Sequence, residues 1–375
     1  MSEYQHYEFQ AIDRPLTEDE QRAVAQLSSR VDPHPRRAVF TYSFGGGLRR
    51  GVEDLLAEYY DAMLYLANWG SRQLMFRFPK SLLDLEQMQQ YNVVTLDYPS
   101  DAVNVYTKGE YAILDIQLHE EEGLGWIEGE GWLDSLVGLR DAILRRDYRL
   151  LYLAWLKGVT LAYEADEDAL EPPAPPGLGN LTAALDSFVR LFDVDTDLLQ
   201  VAAERSAQPV QTASTDDLRQ AIAQLLPEEK GAFLLRLAQG EPHLSLALNR
   251  RLETLRGVSQ ADTTQRRTVN ELFAAAKALR ERKRREHAAR AEAGRIAELE
   301  ALARRGEDAW QEIDALIQKS QAKPYDEAVR LLVRLKELAL HQGQEAAFQA
   351  RMARISDQYK RRHSLIKRFR KARLV

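Results

Sequence analysis

The residues best suited to hold a ligand come early in the chain. In TYSFGGGLRRGVEDLL, residues 41–56, a strand-like run is followed by Gly45, Gly46, Gly47, Arg49, Arg50 and Gly51, and then by a helical pattern. That order is the scaffold of an anion site, because free backbone N–H groups and the dipole at a helix N-terminus both favour negative charge. The spacing departs from the nucleotide-binding versions. Gly46 and Gly51 match G-x-x-x-x-G, yet Val52 and Glu53 stand where Lys and Ser/Thr should follow. Arg50 stands where the dinucleotide pattern needs its third glycine. What remains is an anion contact by Gly46, Gly47, Arg49 and Arg50, or a connecting loop.

Two acidic stretches offer other chemistry. LDIQLHEEEGLGWIEGEGWLD gathers Asp115, His119, Glu120, Glu121, Glu122, Glu128, Glu130 and Asp134, residue types that hold a divalent cation or act as acid and base, with no motif to fix their geometry. In FDVDTDLLQVAAE, residues Asp193, Asp195, Asp197 and Glu204 occupy positions 1, 3, 5 and 12 of an EF-hand loop, but Leu198 replaces its glycine and the run reads on as a helix capped by Asp195 or Thr196. Neither H-E-x-x-H nor G-x-S-x-G occurs, so no catalytic residue, metal ligand or cofactor is assigned.

The remaining candidates are basic. Arg282, Lys283, Arg284 and Arg285 lie in one run, and Lys360, Arg361, Arg362, Lys367, Arg368, Arg370, Lys371 and Arg373 crowd the C-terminal seventeen residues, where Leu365, Ile366, Phe369 and Ala372 share one helical face. Such segments neutralise phosphates, lie on anionic membranes or dock an apolar face in a partner's groove. Net charge is −6, but residues 261–375 hold 27 Lys and Arg against 16 Asp and Glu, and the other 260 residues hold 24 against 41. The expectation is an acidic body with a basic arm.

The elements that must position these groups follow from periodicity. With 375 residues and 45% hydrophobic content, the chain is long enough for several domains with real cores. It has no cysteine, which excludes disulfides, thiolate metal sites and a cysteine nucleophile and is expected of a cytoplasmic protein. The N-terminus lacks the basic and apolar regions of a signal peptide, and no apolar run is long enough to span a bilayer. An α+β fold is predicted, with a mixed α/β domain of about five strands over 1–163 and an all-α portion beyond.

Strands are read at YEFQAID, AVFTYSF and RQLMFRF and in a hairpin turning near Lys108 and Gly109; helices are read from a Thr17/Glu20 capping box and from Val52 through Leu66. Residues 164–180, with five carboxylates and four prolines, read as an extended surface linker. Then come a small helical bundle (181–257), one or two long helices (258–320), and a helical hairpin turning near Gly343 with the basic tail (321–375).

Residues 1 to about 260 resemble an uncharacterised bacterial family whose members carry stretches like MSEYQ…AIDRPLT and YLANWG, present here at 1–17 and 65–70. Residues 309–359 are similar to the helical tails of bacterial proteins bearing a SWIM-type zinc finger; the finger itself needs cysteine and is absent. The resemblance implies a helical interaction tail in a bacterial cell and brings no catalytic residues. The favoured expectation is a non-enzymatic interaction protein whose basic helical region contacts a protein or a nucleic acid. The rival is a metal-dependent hydrolase or phosphate-handling enzyme, and convergence of Arg49 or Arg50 with the acidic segment in one pocket would mark it.

Overall fold

The computed structural model describes residues 4–43, 47–48, 50–94, 102–119, 128–161, 168–208, 214–256 and 266–375. The first of two compact units, Met1–Leu279, is built on an antiparallel sheet. Its elements run β1 (Tyr4–Gln10), α1 (Glu18–Ala25), β2 (Val31–Pro33), β3 (Arg37–Ser43), α2 (Val52–Tyr59), β4 (Ala62–Ala67), β5 (Ser71–Pro79), α3 (Leu85–Gln89), β6 (Val93–Val94), β7 (Ala102–Lys108) and β8 (Tyr111–His119). Helices follow: α4 (Trp132–Leu136), α5 (Gly138–Leu144), α6 (Arg149–Leu161), α7 (Ala183–Leu191), α8 (Thr196–Ala203), α9 (Thr215–Gln224), α10 (Pro227–Ala238) and α11 (Leu244–Leu255). The fold is α+β, as predicted, with long helices in its C-terminal part.

Among the described residues, eight strands lie in the order β2-β3-β1-β4-β5-β8-β7-β6, more than the five expected. The main difference is β4. Met63 and Leu66 fit a helical stripe continuing from α2, but the helix stops at Tyr59 and Ala62–Ala67 pairs with β1 on one side and β5 on the other. A central strand buried on both faces is a continuous apolar run, and such a run satisfies helical and strand spacing alike.

Local signals held elsewhere. Thr17 Oγ1 accepts from Glu20 N at 3.3 Å while Glu20 Oε2 accepts from Thr17 N at 2.7 Å, so the capping box opens α1. Gly109, at φ +61, turns the β7–β8 hairpin, where a side chain would be strained.

Alternation gives the sheet two faces. Ala62, Leu64, Leu66, Phe76, Leu114 and Ile116 point to the larger core, shared with α4, α5, α6, α7, α8 and the residues Val269, Leu272, Ala276 and Leu279. Tyr7, Phe9, Phe40, Met63, Met75 and Ile113 point the other way, beneath α1 and α2. Helices α7 and α8 are therefore part of the sheet domain's core, and α9 and α11 have a small core of Ala221, Leu225 and Leu252.

The expected surface linker is corrected over its described part, 168–180. Glu171, Pro172, Pro175 and Leu178 are buried, Tyr91 donates to Pro173 O at 2.8 Å, and Ser206 donates to Pro175 O at 2.6 Å. Prolines need no backbone donor partner, so a proline-rich strap packs on a domain without leaving N–H groups unsatisfied.

The second unit, Arg280–Val375, is helical. It contains the later part of α12 (Val269–Arg305), then α13 (Glu307–Gln318), α14 (Ala322–His341), α15 (Glu345–Gln358) and α16 (His363–Lys371). The predicted long helix breaks at Gly306 and the hairpin turns at Gly343, φ +67. Leu299, Ile313, Ile317, Leu332, Met352, Leu365 and Phe369 form its core. Among the described residues, no helix is long and apolar enough to cross a membrane.

Candidate functional site

The described end of the glycine segment is committed to the fold. Gly51 caps α2 without a side chain, and the first-turn acids Glu53 and Asp54 draw Lys108 from the β7–β8 turn, at 3.6 and 2.6 Å. Arg50 pairs with Glu58 and lies 5.6 Å from the centre of the Tyr59 ring. Of the predicted anion contacts, Gly46 and Arg49 lie outside the described residues; Gly47 sits beside Gln5, and Arg50 is already ion-paired.

The acidic segment does not converge, because the pleat divides it. Asp115 and His119 point to the face under α2, where Gln73 Nε2 donates to Asp115 Oδ1 at 2.9 Å and Ser71 Oγ meets His119 Nδ1 at 2.9 Å. Asp134, on α4, accepts from Gln10 Nε2 at 2.5 Å on the opposite face. Glu128 and Glu130 are exposed, and Glu120, Glu121 and Glu122 lie outside the described residues. Among the described residues, no group of three or more His, Asp and Glu side chains is placed to hold a metal ion. Asp193, Asp195, Asp197 and Glu204 do not close a loop: Asp195 Oδ1 accepts from Asp197 N and Leu198 N at 2.8 and 3.1 Å, and Glu204 caps the far end of the same helix.

Asp115 is nonetheless perturbed. Burial pushes its carboxyl up to about 6; the hydrogen bond from Gln73 opposes the shift and the charge of Glu53 adds to it. A pKa raised on folding adds stability that is fully present below the unfolded value and is lost as pH rises through the folded one. Asp115→Asn keeps the acceptor and removes the buried charge. It is expected to leave stability near pH 3 unchanged and to raise it by about 2 kcal/mol near pH 8. Urea unfolding at both pH values measures this, and a gain of equal size at both would refute the assignment.

Among the described residues, two buried ionic clusters around the sheet escaped sequence reasoning. In the first, Arg77 donates to Asp61 at 2.7 Å and to Ala57 O at 2.6 Å, while Arg140 donates to both oxygens of Asp13 at 2.8 Å and to Arg77 O at 2.8 Å. Asp61 Oδ2 also accepts from the backbone of Ile12 and Asp13. Burial alone would raise the Asp13 carboxyl; the hydrogen bond and charge of Arg140 outweigh it and hold the group below its ordinary value. In the second, Glu8 accepts from Arg37 at 2.8 Å, with His6 Nε2 3.7 Å from its other oxygen. The first joins β5 to segments packed on it, and the second joins the neighbouring strands β1 and β3. For Arg77, Glu8 and His6 the local signal was a charged residue inside an apolar strand; Asp13, Asp61 and Arg140 lie outside the strands.

The basic residues divide between surface and core. From Arg280 to Arg295 every described side chain of α12 is exposed, on all sides of the helix. Arg282 and Arg285 make i,i+4 pairs with Glu286 and Glu281, at 4.0 and 3.5 Å, and Lys283 and Arg284 share that stretch. The tail is corrected from arm to core helix. Leu365, Phe369 and Leu374 are buried on α16 and the turn after it, Arg362 donates to Ile317 O and to Tyr325 OH, and Lys360 pairs with Asp357 at 3.1 Å. The apolar face read from sequence is real, but the bundle itself fills it.

Lys360, Arg361, Lys367, Arg370, Lys371 and Arg373 remain exposed. Arg368, bonded to Asp326 at 2.7 Å, holds that carboxyl below its ordinary value, with Arg330 and Lys371 adding their charges. Three bases from α14 and α16 thus face one acid. Residues 280–375 carry 24 Lys and Arg against 14 Asp and Glu, and residues 1–279 carry 27 against 43, so the two units have opposite net charge. No protein family, curated protein or solved structure matches the chain.

Proposed function

We propose that this chain is a non-enzymatic interaction protein whose basic helical unit binds a polyanion. The observation that carries the reading is the stretch Arg280–Arg295, exposed on every side, with Arg282, Lys283, Arg284 and Arg285 in sequence. A helix polar all round has no packing reason for its composition. Sixteen residues extend about 24 Å, a span that can follow a phosphate backbone or an acidic protein ridge. The stretch contains no Phe, Tyr or Trp, so it lacks the stacking platform by which single-stranded bases are held, and duplex phosphates are the better match.

Binding is therefore salt-sensitive and indifferent to base sequence. Replacing Arg282, Lys283, Arg284 and Arg285 by glutamine leaves the fold intact, since all four are exposed. The expected result is at least a tenfold loss of affinity for a duplex oligonucleotide at low salt, with the slope of log K against log salt reduced by about 0.9 for each phosphate contact removed. Fluorescence anisotropy over a salt series reads both. Wild-type affinity and slope in the quadruple variant would remove this stretch from the binding surface, and polyglutamate in place of the duplex tests an acidic protein as the partner.

A further inference from the structure

We infer that two copies of this chain associate through α10, around a two-fold axis beside Leu234. Helix α10 is well specified locally: Pro227 occupies its first turn, Glu229 Oε2 accepts from Leu226 N at 3.0 Å, and Arg251 pairs with Glu229 at 2.9 Å. Yet it contributes no fully buried residue to its own unit. Its leucines face outward instead. Leu226, Leu234, Leu235 and Leu237 are 60%, 66%, 61% and 64% exposed, and Ile222 of α9 is 41% exposed. Helices in proteins draw most of their stability from packing an apolar face, and here that face is uncovered.

The size and charge of the patch select a second copy. A standard interface covers about 800 Å² on each partner and, between identical chains, is about 65% apolar, which asks for roughly 500 Å² of apolar surface per copy. Five large aliphatic side chains exposed to this degree supply an area of that order. Residues 214–256 carry six acidic and six basic side chains, so a self-contact here meets no net repulsion, unlike one made by the acidic unit at large.

Gly231 adds an independent sign. It lies within the helix, where glycine is unfavourable, and a Cβ placed on it would meet nothing within 4 Å. Among the described residues, none lies close enough to require it. With the axis beside Leu234, Leu237 of each copy lies over Gly231 of the other, and the missing side chain permits close approach.

Sedimentation velocity on the full chain over a concentration series tests the contact. The wild type is expected to form a dimer with rising concentration. Leu234→Asp with Leu237→Asp is expected to remain monomeric with unchanged circular dichroism, since both positions are exposed. Gly231→Gln should weaken dimerisation at least tenfold while keeping or raising the melting temperature of the monomer, a pair of opposite effects that mere damage to the fold does not produce. A dimer that persists in the aspartate variant overturns the inference. So does a wild type that stays monomeric, whether hydrogen exchange finds α10 protected, which means the chain covers it, or unprotected, which leaves the face to a different protein.

Discussion

Replacing Glu171 by alanine is expected to destabilise the first unit by about 3 to 5 kcal/mol, because it leaves a buried guanidinium without its counter-charge. Glu171 and Arg267 are each 4% exposed. Arg267 donates through Nε and, at 3.0 Å, through Nη2 to the carboxylate, Tyr152 donates its hydroxyl to the same group, and Arg267 Nη1 lies 3.4 Å from Val201 O. The backbone is tied at the same place, with Glu171 N donating to Arg267 O and Val269 N to Ala169 O, both at 2.9 Å. The clamp thus joins the proline-rich strap, α6, α8 and the start of α12.

Taking two charges out of water costs nearly what their attraction returns, so the pair adds little net stability while its loss on one side costs much. Glu171→Leu combined with Arg267→Met should therefore recover most of what either single change loses. Chemical denaturation of the two single variants and the double variant forms the cycle. Additive losses, with no recovery in the double, would show that the ion pair is not what the single changes disrupt.

Arg140→Ala has a similar expected cost, about 3 to 5 kcal/mol, for a related reason. The residue is 1% exposed; its side chain spans from Asp13 to Arg77 O and lies 5.5 Å over the Phe78 ring. Its removal opens a large cavity and unpairs Asp13, leaving it with His243 at 3.6 Å and the charge of Arg77. Arg140→Lys restores charge but not the planar fork that meets both oxygens of Asp13, so it should recover only part of the loss. Thermal unfolding of the three proteins reads the order wild type, lysine, alanine; lysine equal to wild type would mean that charge alone is needed.

These two residues mark where reading the chain residue by residue stops. Thr17 with Glu20, Gly109 and Gly343 were legible because a cap or turn is set by atoms within a few positions. The Arg282–Arg285 run was legible as charge, and its exposure follows from having no apolar face to bury. The split of Asp115 from Asp134 was not legible, since it needs the pairing register that places their carriers on opposite sides of the sheet.

The order of helices and most strands, the hairpin turns, the opposite charges of the two ends and the apolar face of the tail all belong to local pattern and composition. The state of β4, the packing of the proline-rich strap, the use of α16 as core and the partners of the buried arginines were decided by contacts between distant parts of the chain. Glu171 and Arg267 are 96 positions apart, and Asp13 and Arg140 are 127. A charge reads as solvated until its counter-ion is found, and at such separations only the folded chain brings the two together.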